Sequence, residues 1–343
     1  MENEYFLRLL GAYRPRIEAE LKEAIAGSPR AFYDMLWYHL GWRDERGRPC
    51  RGESGKLIRP LLCLLSCQAV GGDVEWIMPA AAAVELIHNF SLIHDDIQDS
   101  SYKRHHRPAL WKVWGESQAI NAGDIMFALA FSILLKLRNN GITESKIVSA
   151  VRFLSKACEK LCEGQYLDIA YQSRGEVTIE DYLDMITKKT AALMAASAAI
   201  GGCLVVDDEG VVKALYDFGE KLGLAYQVQD DLWGIWRAEE ETGKTAKEDI
   251  LQRKKSFPVV YALEHSRNDD RQKLKKLYSR EVISVEEVAA VVEILGSSGA
   301  PEQGQKLLQQ YHRQALAKLR TSKLDLDGQS LLAEMADFLV VSK

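Results

Sequence analysis

Apolar residues recur at three- and four-residue spacing through most of the chain, the period of a helix that buries one face. The stretches that keep this period predict long helices over Lys56–Val70, Val74–Ile97, Gln118–Leu137, Glu144–Ala170, Ile179–Gly202 and Glu209–Trp236. Breaks fall at Gly71-Gly72-Asp73, Asn139-Asn140-Gly141, Ser173-Arg174-Gly175 and Asp207-Asp208, where residues that favour turns interrupt the pattern. No run alternates apolar and polar positions as a half-buried strand would, and no glycine-rich phosphate loop occurs. The connections are short and none has the composition of a linker, so one all-α domain over residues 1–343 is expected. Several helices are apolar nearly all the way round, Val74–Ile97 with its run Met78 to Leu86 above all. Such a helix belongs at the centre of a bundle, screened by other helices or by a partner subunit, which favours a homodimer.

Composition narrows the class. With 47% hydrophobic and 27% charged residues the chain has the balance of a soluble protein with a sizeable core. A net charge of -5 argues against nucleic acid as a partner. The opening Met1-Glu2-Asn3-Glu4 lacks the basic and apolar pattern of a signal peptide. The most apolar run, Ala191 to Val206, is slightly short for a bilayer and carries Ser197, Gly201 and Gly202, so it reads as a buried core helix. No integral membrane segment and a cytoplasmic location are the expectation. Of the six cysteines, Cys63/Cys67 and Cys158/Cys162 are spaced i, i+4 in apolar helices, and all six read as buried free thiols in a reducing compartment.

The chemistry is concentrated in two acidic segments. In Leu92-Ile93-His94-Asp95-Asp96-Ile97-Gln98-Asp99 an apolar helix ends in three aspartates. Asp95 and Asp99 share a helix face, with Asp96 adjacent. Carboxylates gathered at a helix C-terminus repel one another and oppose the helix dipole, and a cation relieves both costs. Oxygen-only ligands suit a hard cation, and Mg²⁺ typically takes one or two carboxylates together with substrate phosphate oxygens. A solvated acidic helix end is the competing explanation for one such string. The second pair, Asp230-Asp231 in Ala225-Tyr226-Gln227-Val228-Gln229-Asp230-Asp231-Leu232-Trp233, also lies on a long apolar helix, where unpartnered charge is unusual. Two such helices facing one another across a cavity would hold several metal ions. Basic residues are scattered around these segments: Lys56 and Arg59, Lys103 to Arg107, Lys188-Lys189, Lys244, and Arg253-Lys254-Lys255. Each alone is ordinarily a surface charge. With metal-binding carboxylates they make the inventory of a diphosphate site, arginine offering a fork and lysine a point charge.

The segments GKLIRP, ELIHNFSLIHDDIQD, RHHRP, NAGD (Asn121 to Asp124), KKTAALM, GLAYQVQDD, TGK and RKKSFP, in this order from about Gly55 to Leu263, resemble the trans-isoprenyl (polyprenyl) diphosphate synthases. The resemblance implies an isoprenoid synthase-type bundle of about ten core helices around a deep central cavity, commonly a homodimer. It implies Mg²⁺-dependent head-to-tail condensation of isopentenyl diphosphate with an allylic diphosphate (dimethylallyl, geranyl or farnesyl). Three Mg²⁺ ions would be held chiefly by Asp95, Asp99 and Asp230, supported by Asp96 and Asp231. Arg104, Lys189, Lys244 and Lys254 would hold the allylic diphosphate, and Thr190 and Gln227 would line that site. Lys56, Arg59 and His88 would bind the diphosphate of isopentenyl diphosphate.

Two positions depart from the family pattern. Position 234 is glycine where a third aspartate is common, and the usual Arg-Arg pair after the first acidic segment reads Arg104-His105. Histidine is shorter and mostly neutral at pH 7, which alters the isopentenyl site unless Arg107 or His106 compensates. Phe90, five residues before Asp95 and about one and a half turns down the helix, would floor the cavity, with Ser91 beside it leaving room. In this family that pairing resembles geranylgeranyl (C20) synthases. A terpene cyclase-like lyase on the same fold, and a non-catalytic partner subunit, are the alternatives. Retained Lys56, Arg59 and His88 oppose the first, and intact Asp95, Asp96 and Asp99 oppose the second.

Overall fold

A computed structural model describes residues 2–27, 29–50, 52, 55–237, 247–280 and 282–341. The chain is all-α. In order it forms α1 (Glu2–Ala24), α2 (Arg30–His39), α3 (Ile58–Ala69), α4 (Met78–Gln98), a hairpin of β1 (Lys103–Arg104) and β2 (Arg107–Pro108), α5 (Leu110–Trp114), α6 (Glu116–Leu134) and α7 (Glu144–Ser173). Then follow α8 (Ile179–Ile186), a π-helical turn (Thr187–Ala191), α9 (Ala192–Cys203), α10 (Glu209–Trp236), α11 (Glu248–Leu251), α12 (Phe257–His265), α13 (Asn268–Tyr278), α14 (Val285–Ser297), α15 (Ala300–Arg320) and α16 (Leu326–Val341).

The helices fall into two compact units, one of residues 1–158, 193–219 and 316–343, the other of residues 159–192 and 220–315. In the first, α4 packs along α6 and against α3 and α1, while α16 covers α3 and α1. Helix α4 is buried on almost every side, as its all-round apolar sequence requires, and its small residues Ala80 to Ala83 are fully buried. Close helix approach depends on missing side chains. A Cβ on Gly201 would lie 2.1 Å from the Cys63 carbonyl oxygen, and one on Gly123 would lie 2.2 Å from His94 Nε2. The second unit has its own core, in which Ile250, Val259, Leu274, Val291 and Leu295 pack together. Capping boxes Thr178/Asp181 and Ser284/Glu287 start α8 and α14.

The structure amends several sequence expectations. The helix expected from Lys56 begins at Ile58, because Leu57 takes a left-handed conformation (φ 51°), so Lys56 sits in a loop. The stretch from Val74 opens with a 3₁₀ turn, and its α-helix starts at Met78 with Pro79 in the first turn, where a missing N–H does no harm. The helix from Ile179 is interrupted by the π turn. The hairpin at 103–108 has two residues per strand, too few to show a period. The cysteines are all free, but Cys50 and Cys162 are exposed rather than buried. Two stretches, Val74–Gln98 and Glu116–Asn140, are long and apolar enough to cross a membrane by length and composition, the first of them lying mostly inside the protein.

Candidate active site

In the first unit, α4 carries the acidic cluster at its C-terminal end. Asp99 caps the helix, its N–H bonded to the Asp95 carbonyl at 2.8 Å. Asp95 and Asp99 are half-exposed, one turn apart, whereas Asp96 is 1% exposed and turned inward. Arg104 reaches back from the hairpin to Asp96, with Nε 3.1 Å from Oδ1 and Nη2 closing the ion pair. Burial pushes the Asp96 carboxyl up to about 6 against the pull of Arg104.

A second group lies on the same unit, toward the start of α3 and the middle of α4. Arg59 Nη1 stands 3.2 Å from His88 Nε2. Burial, with Arg59 and Arg104 nearby, holds His88 well below its ordinary range. The ring is therefore neutral, and Nε2 accepts from the guanidinium. Ser91 gives its hydroxyl to the His88 carbonyl at 2.7 Å. Phe90, 8% exposed, meets Phe127 of α6 edge-on at 5.3 Å, and Phe127 meets Phe131 at 5.1 Å. Glu85 and Asn89, absent from the sequence reading, are bonded to each other, Asn89 Nδ2 donating to the Glu85 carbonyl (2.8 Å) and to Oε1 (2.9 Å). Burial raises Glu85 to about 7, and burial together with Arg104 and His105 lowers His39 to about 3.

The second unit holds the other set. Asp230 on α10 is half-exposed and Asp231 is buried. Both oxygens of Asp231 are bonded: Oδ2 accepts from Tyr182 Oη and from the Phe257 N–H, each at 2.8 Å, and Oδ1 accepts from Gln227 Nε2 at 2.7 Å. Burial raises this carboxyl to about 7 despite those donors. Gln227 Oε1 in turn accepts from Thr190 at 2.6 Å, which ties α10 to the π turn. That turn also presents Lys189, whose Nζ lies 2.6 Å from Asp168 Oδ2 on α7, with Lys254 Nζ at 3.9 Å from the same oxygen. Burial alone would raise Asp168, but Lys189 and Lys254 outweigh it and hold the carboxyl below its usual range. A π turn displaces the side chains that follow it relative to a regular helix, and such turns concentrate at functional sites. It packs directly on Gly164, where a Cβ would sit 2.2 Å from the Lys189 backbone nitrogen. Asp168 was missed because a lone aspartate on a helix has no motif of its own. Lys244 lies outside the described residues. Gly234 is explained by its neighbour: a Cβ there would be 3.1 Å from Asp249 Oδ2, so a carboxylate from α11 already fills the space a third aspartate would enter.

Lys255, next to Lys254, is buried with its ammonium 4.8 Å from the Tyr278 ring centre, and burial lowers it to about 8. Its folded pKa lies below the ordinary 10.5, so the unfolded chain holds the extra proton between about 8 and 10.5. Stability from this residue therefore rises with pH through that window. Lys255→Met is expected to raise stability by about 1–3 kcal/mol at pH 7, a gain that vanishes above pH 10.5 in denaturant melts. An unchanged or lower melting point at pH 7 would contradict it.

Among the described residues no three His, Cys, Asp or Glu side chains converge to hold a metal alone. Half-exposed Asp95, Asp99 and Asp230 offer oxygen only, which fits a hard cation completed by phosphate oxygens. An all-α chain with acidic clusters on α4 and α10, and with lysine and arginine in each unit, has the parts to ionise a diphosphate ester. The chain belongs to the polyprenyl synthetase family, whose model matches residues 49–295, and it is a prenyltransferase. It is 42% identical over 268 residues to a (2E,6E)-farnesyl diphosphate synthase of Mycobacterium tuberculosis, covering 77% of this chain and 73% of that one. A geranylgeranyl diphosphate synthase of the same organism is 40% identical over 281 residues, covering 80% and 79%. The crystal structure of a polyprenyl synthetase from Streptomyces coelicolor superposes with a TM-score of 0.90 at 37% identity, covering 97% and 99%. A polyprenyl synthase from Caulobacter crescentus, solved with calcium and isoprenyl diphosphate, superposes with 0.87 at 27% identity, covering 98% and 97%.

Proposed function

We propose that this enzyme condenses isopentenyl diphosphate head to tail with an allylic diphosphate and stops at C20, as a geranylgeranyl diphosphate synthase. The observation that carries the reading is that half-exposed Asp95 and Asp99 share a unit with the Arg59–His88 pair and Lys56, so the groups needed for isopentenyl diphosphate accompany the first acidic cluster. One family model spans both units, which supports their serving one reaction as a single polyprenyl synthase domain. Asp95, Asp99 and Asp230 would hold Mg²⁺, in our reading three ions with bound diphosphate, which would supply Lewis acidity to the leaving group. Asp96 and Asp231 support this from behind, the one by fixing Arg104 and the other by fixing Gln227.

The allylic C–O bond breaks to leave diphosphate and an allylic cation. Lys189, Lys244, Lys254 and Arg104 stabilise the charge that grows on the leaving oxygen, each worth on the order of 3 kcal/mol in such a site. Asp168 holds Lys189 in place, and Thr190 with Gln227 lines the allylic site. Lys56, Arg59, His88 and His105 hold isopentenyl diphosphate while its double bond attacks the cation. The proton then leaves to the departing diphosphate, and an apolar chamber keeps water from the cation.

Chain length follows from Phe90 and its edge-on contact with Phe127, with Ser91 small beside it. Phe90→Ala is expected to shift the main product beyond C20 by one or more isoprene units with turnover nearly intact, read by mass after dephosphorylation. An unchanged product would remove Phe90 as the floor. The exposed stripe Ile120, Phe127 and Leu135 on and just after α6 supports a homodimer through that face. A cytoplasmic enzyme without an integral membrane segment remains our reading, since the apolar helix α4 is a core element. Neither a cyclase nor a silent subunit is favoured, because the family match and both acidic clusters point to synthesis.

A further inference from the structure

Three consecutive basic residues, Arg253-Lys254-Lys255, lead from α11 to α12, and the reaction above uses only Lys254. The segment closes α11 in a Schellman turn. The Arg253 N–H bonds to the Ile250 carbonyl at 3.0 Å and the Lys254 N–H to the Asp249 carbonyl at 2.9 Å. The left-handed position of such a turn usually holds glycine, yet here it holds Arg253 (φ 56°). A side chain there costs strain, and the guanidinium offsets it with a bond that glycine could not make. Nη1 donates to the Arg280 carbonyl at 2.6 Å, just past the end of α13. Arg280 is itself held, its own Nη1 standing 2.5 Å from Glu287 Oε1 at the start of α14.

Lys255, on the other side of Lys254, goes to the same place. It is 3% exposed, and its ammonium lies 4.8 Å from the ring centre of Tyr278, the last residue of α13. A helix C-terminus carries partial negative charge and ring faces attract cations, so both anchors suit the groups they hold. Burying the ammonium still costs stability, as its lowered pKa shows. Between the two anchored residues, Lys254 reaches α7 instead. Its Nζ lies 3.9 Å from Asp168 Oδ2, the oxygen that Lys189 meets at 2.6 Å.

We infer that Arg253 and Lys255 are positioning residues, which strap the loop between α11 and α12 to the C-terminal end of α13 and so aim Lys254 at the Asp168–Lys189 pair, where the allylic diphosphate is held. This rests on the synthase reading above. Lysine is a point charge on a long flexible stem, so the place of its ammonium depends on how firmly its backbone is held. A loop tied on both sides of Lys254 leaves that residue only its own side-chain torsions to search. The ammonium then meets the leaving diphosphate from a backbone already in place.

A double-mutant cycle on the full chain, with Mg²⁺, labelled isopentenyl diphosphate and geranyl diphosphate, tests this. Arg253→Asn keeps a residue that accepts the left-handed turn but cannot reach Arg280, and Lys255→Met keeps a buried stem without its charge. Each is expected to lower kcat/KM for geranyl diphosphate by about tenfold and to leave KM for isopentenyl diphosphate unchanged. Arg253→Asn should melt within a few degrees of the wild type, and Lys255→Met should melt higher, so neither loss is one of folding. In a Lys254→Ala background, itself slower by about 10²-fold, neither substitution should lower the rate further, because each acts through Lys254. Wild-type kcat/KM in either variant, or the same loss repeated in the Lys254→Ala background, overturns the inference alone. A wild type that adds no label to the allylic substrate overturns it together with the synthase reading.

Discussion

Asp95→Asn lowers kcat by about 10²–10³-fold and leaves the melting temperature of the substrate-free protein within a few degrees of the wild type. The two outcomes separate because Asp95 is half-exposed at the C-terminal end of α4, one turn from Asp99. Removing one of two repelling carboxylates from a negative helix end does not weaken the fold. It does remove a hard oxygen ligand where the reaction needs one. Ligand that binds only the folded protein stabilises it, so the wild type should melt higher with Mg²⁺ and diphosphate, and the variant should lose most of that shift. Asp96→Asn acts through Arg104 instead: it removes the partner that holds the guanidinium, while burial already disfavours the ionised carboxyl, so turnover should fall with little loss in the substrate-free melting point. Turnover of Asp95→Asn within threefold of the wild type would contradict the role given to the first acidic cluster.

Gly164→Ala carries the second large effect. The added methyl would stand 2.2 Å from the Lys189 backbone nitrogen and 2.6 Å from its Cα, atoms that cannot swing aside as a side-chain tip can. Either α7 or the π turn must move. Overpacking of this kind costs about 1–3 kcal/mol. The displacement falls on Lys189 and Thr190, whose partners Asp168 and Gln227 lie at hydrogen-bond distance. A shift of about 1 Å in a positioned group can cost about 10²-fold in rate, and a loss of that order in kcat is expected. Gly175→Ala, with nothing within 4 Å of the new methyl, is the control and should behave as wild type. Equal activity of the two variants would mean that the π turn does not lean on α7 as described.

How much of this was legible in the sequence depends on what fixed each residue. The acidic clusters and the segments carrying Lys56, Arg59 and His88 stood out in the sequence because residue type and spacing combine there along short stretches. The helical class was readable because long amphipathic and all-apolar helices write their period over many residues. Asp168 was not, since its partners Lys189 and Lys254 are distant in sequence, nor were Glu85 and Asn89, a bonded pair one turn apart on α4 with no motif of its own. The π turn follows from tertiary packing on Gly164 and leaves no periodic trace. Asp231 read as a companion of Asp230, but its two oxygens are spent on Tyr182, Phe257 and Gln227. The glycine at 234 read as a departure from the family pattern, and the Asp249 carboxylate stands 3.1 Å from where its Cβ would be.

The account is tested most directly by incubating the purified protein with Mg²⁺, labelled isopentenyl diphosphate and, in turn, dimethylallyl, geranyl and farnesyl diphosphate, then measuring product mass before and after phosphatase treatment. The account predicts label in a linear C20 alcohol after phosphatase. A hydrocarbon or cyclic alcohol formed from the allylic substrate without label would contradict it.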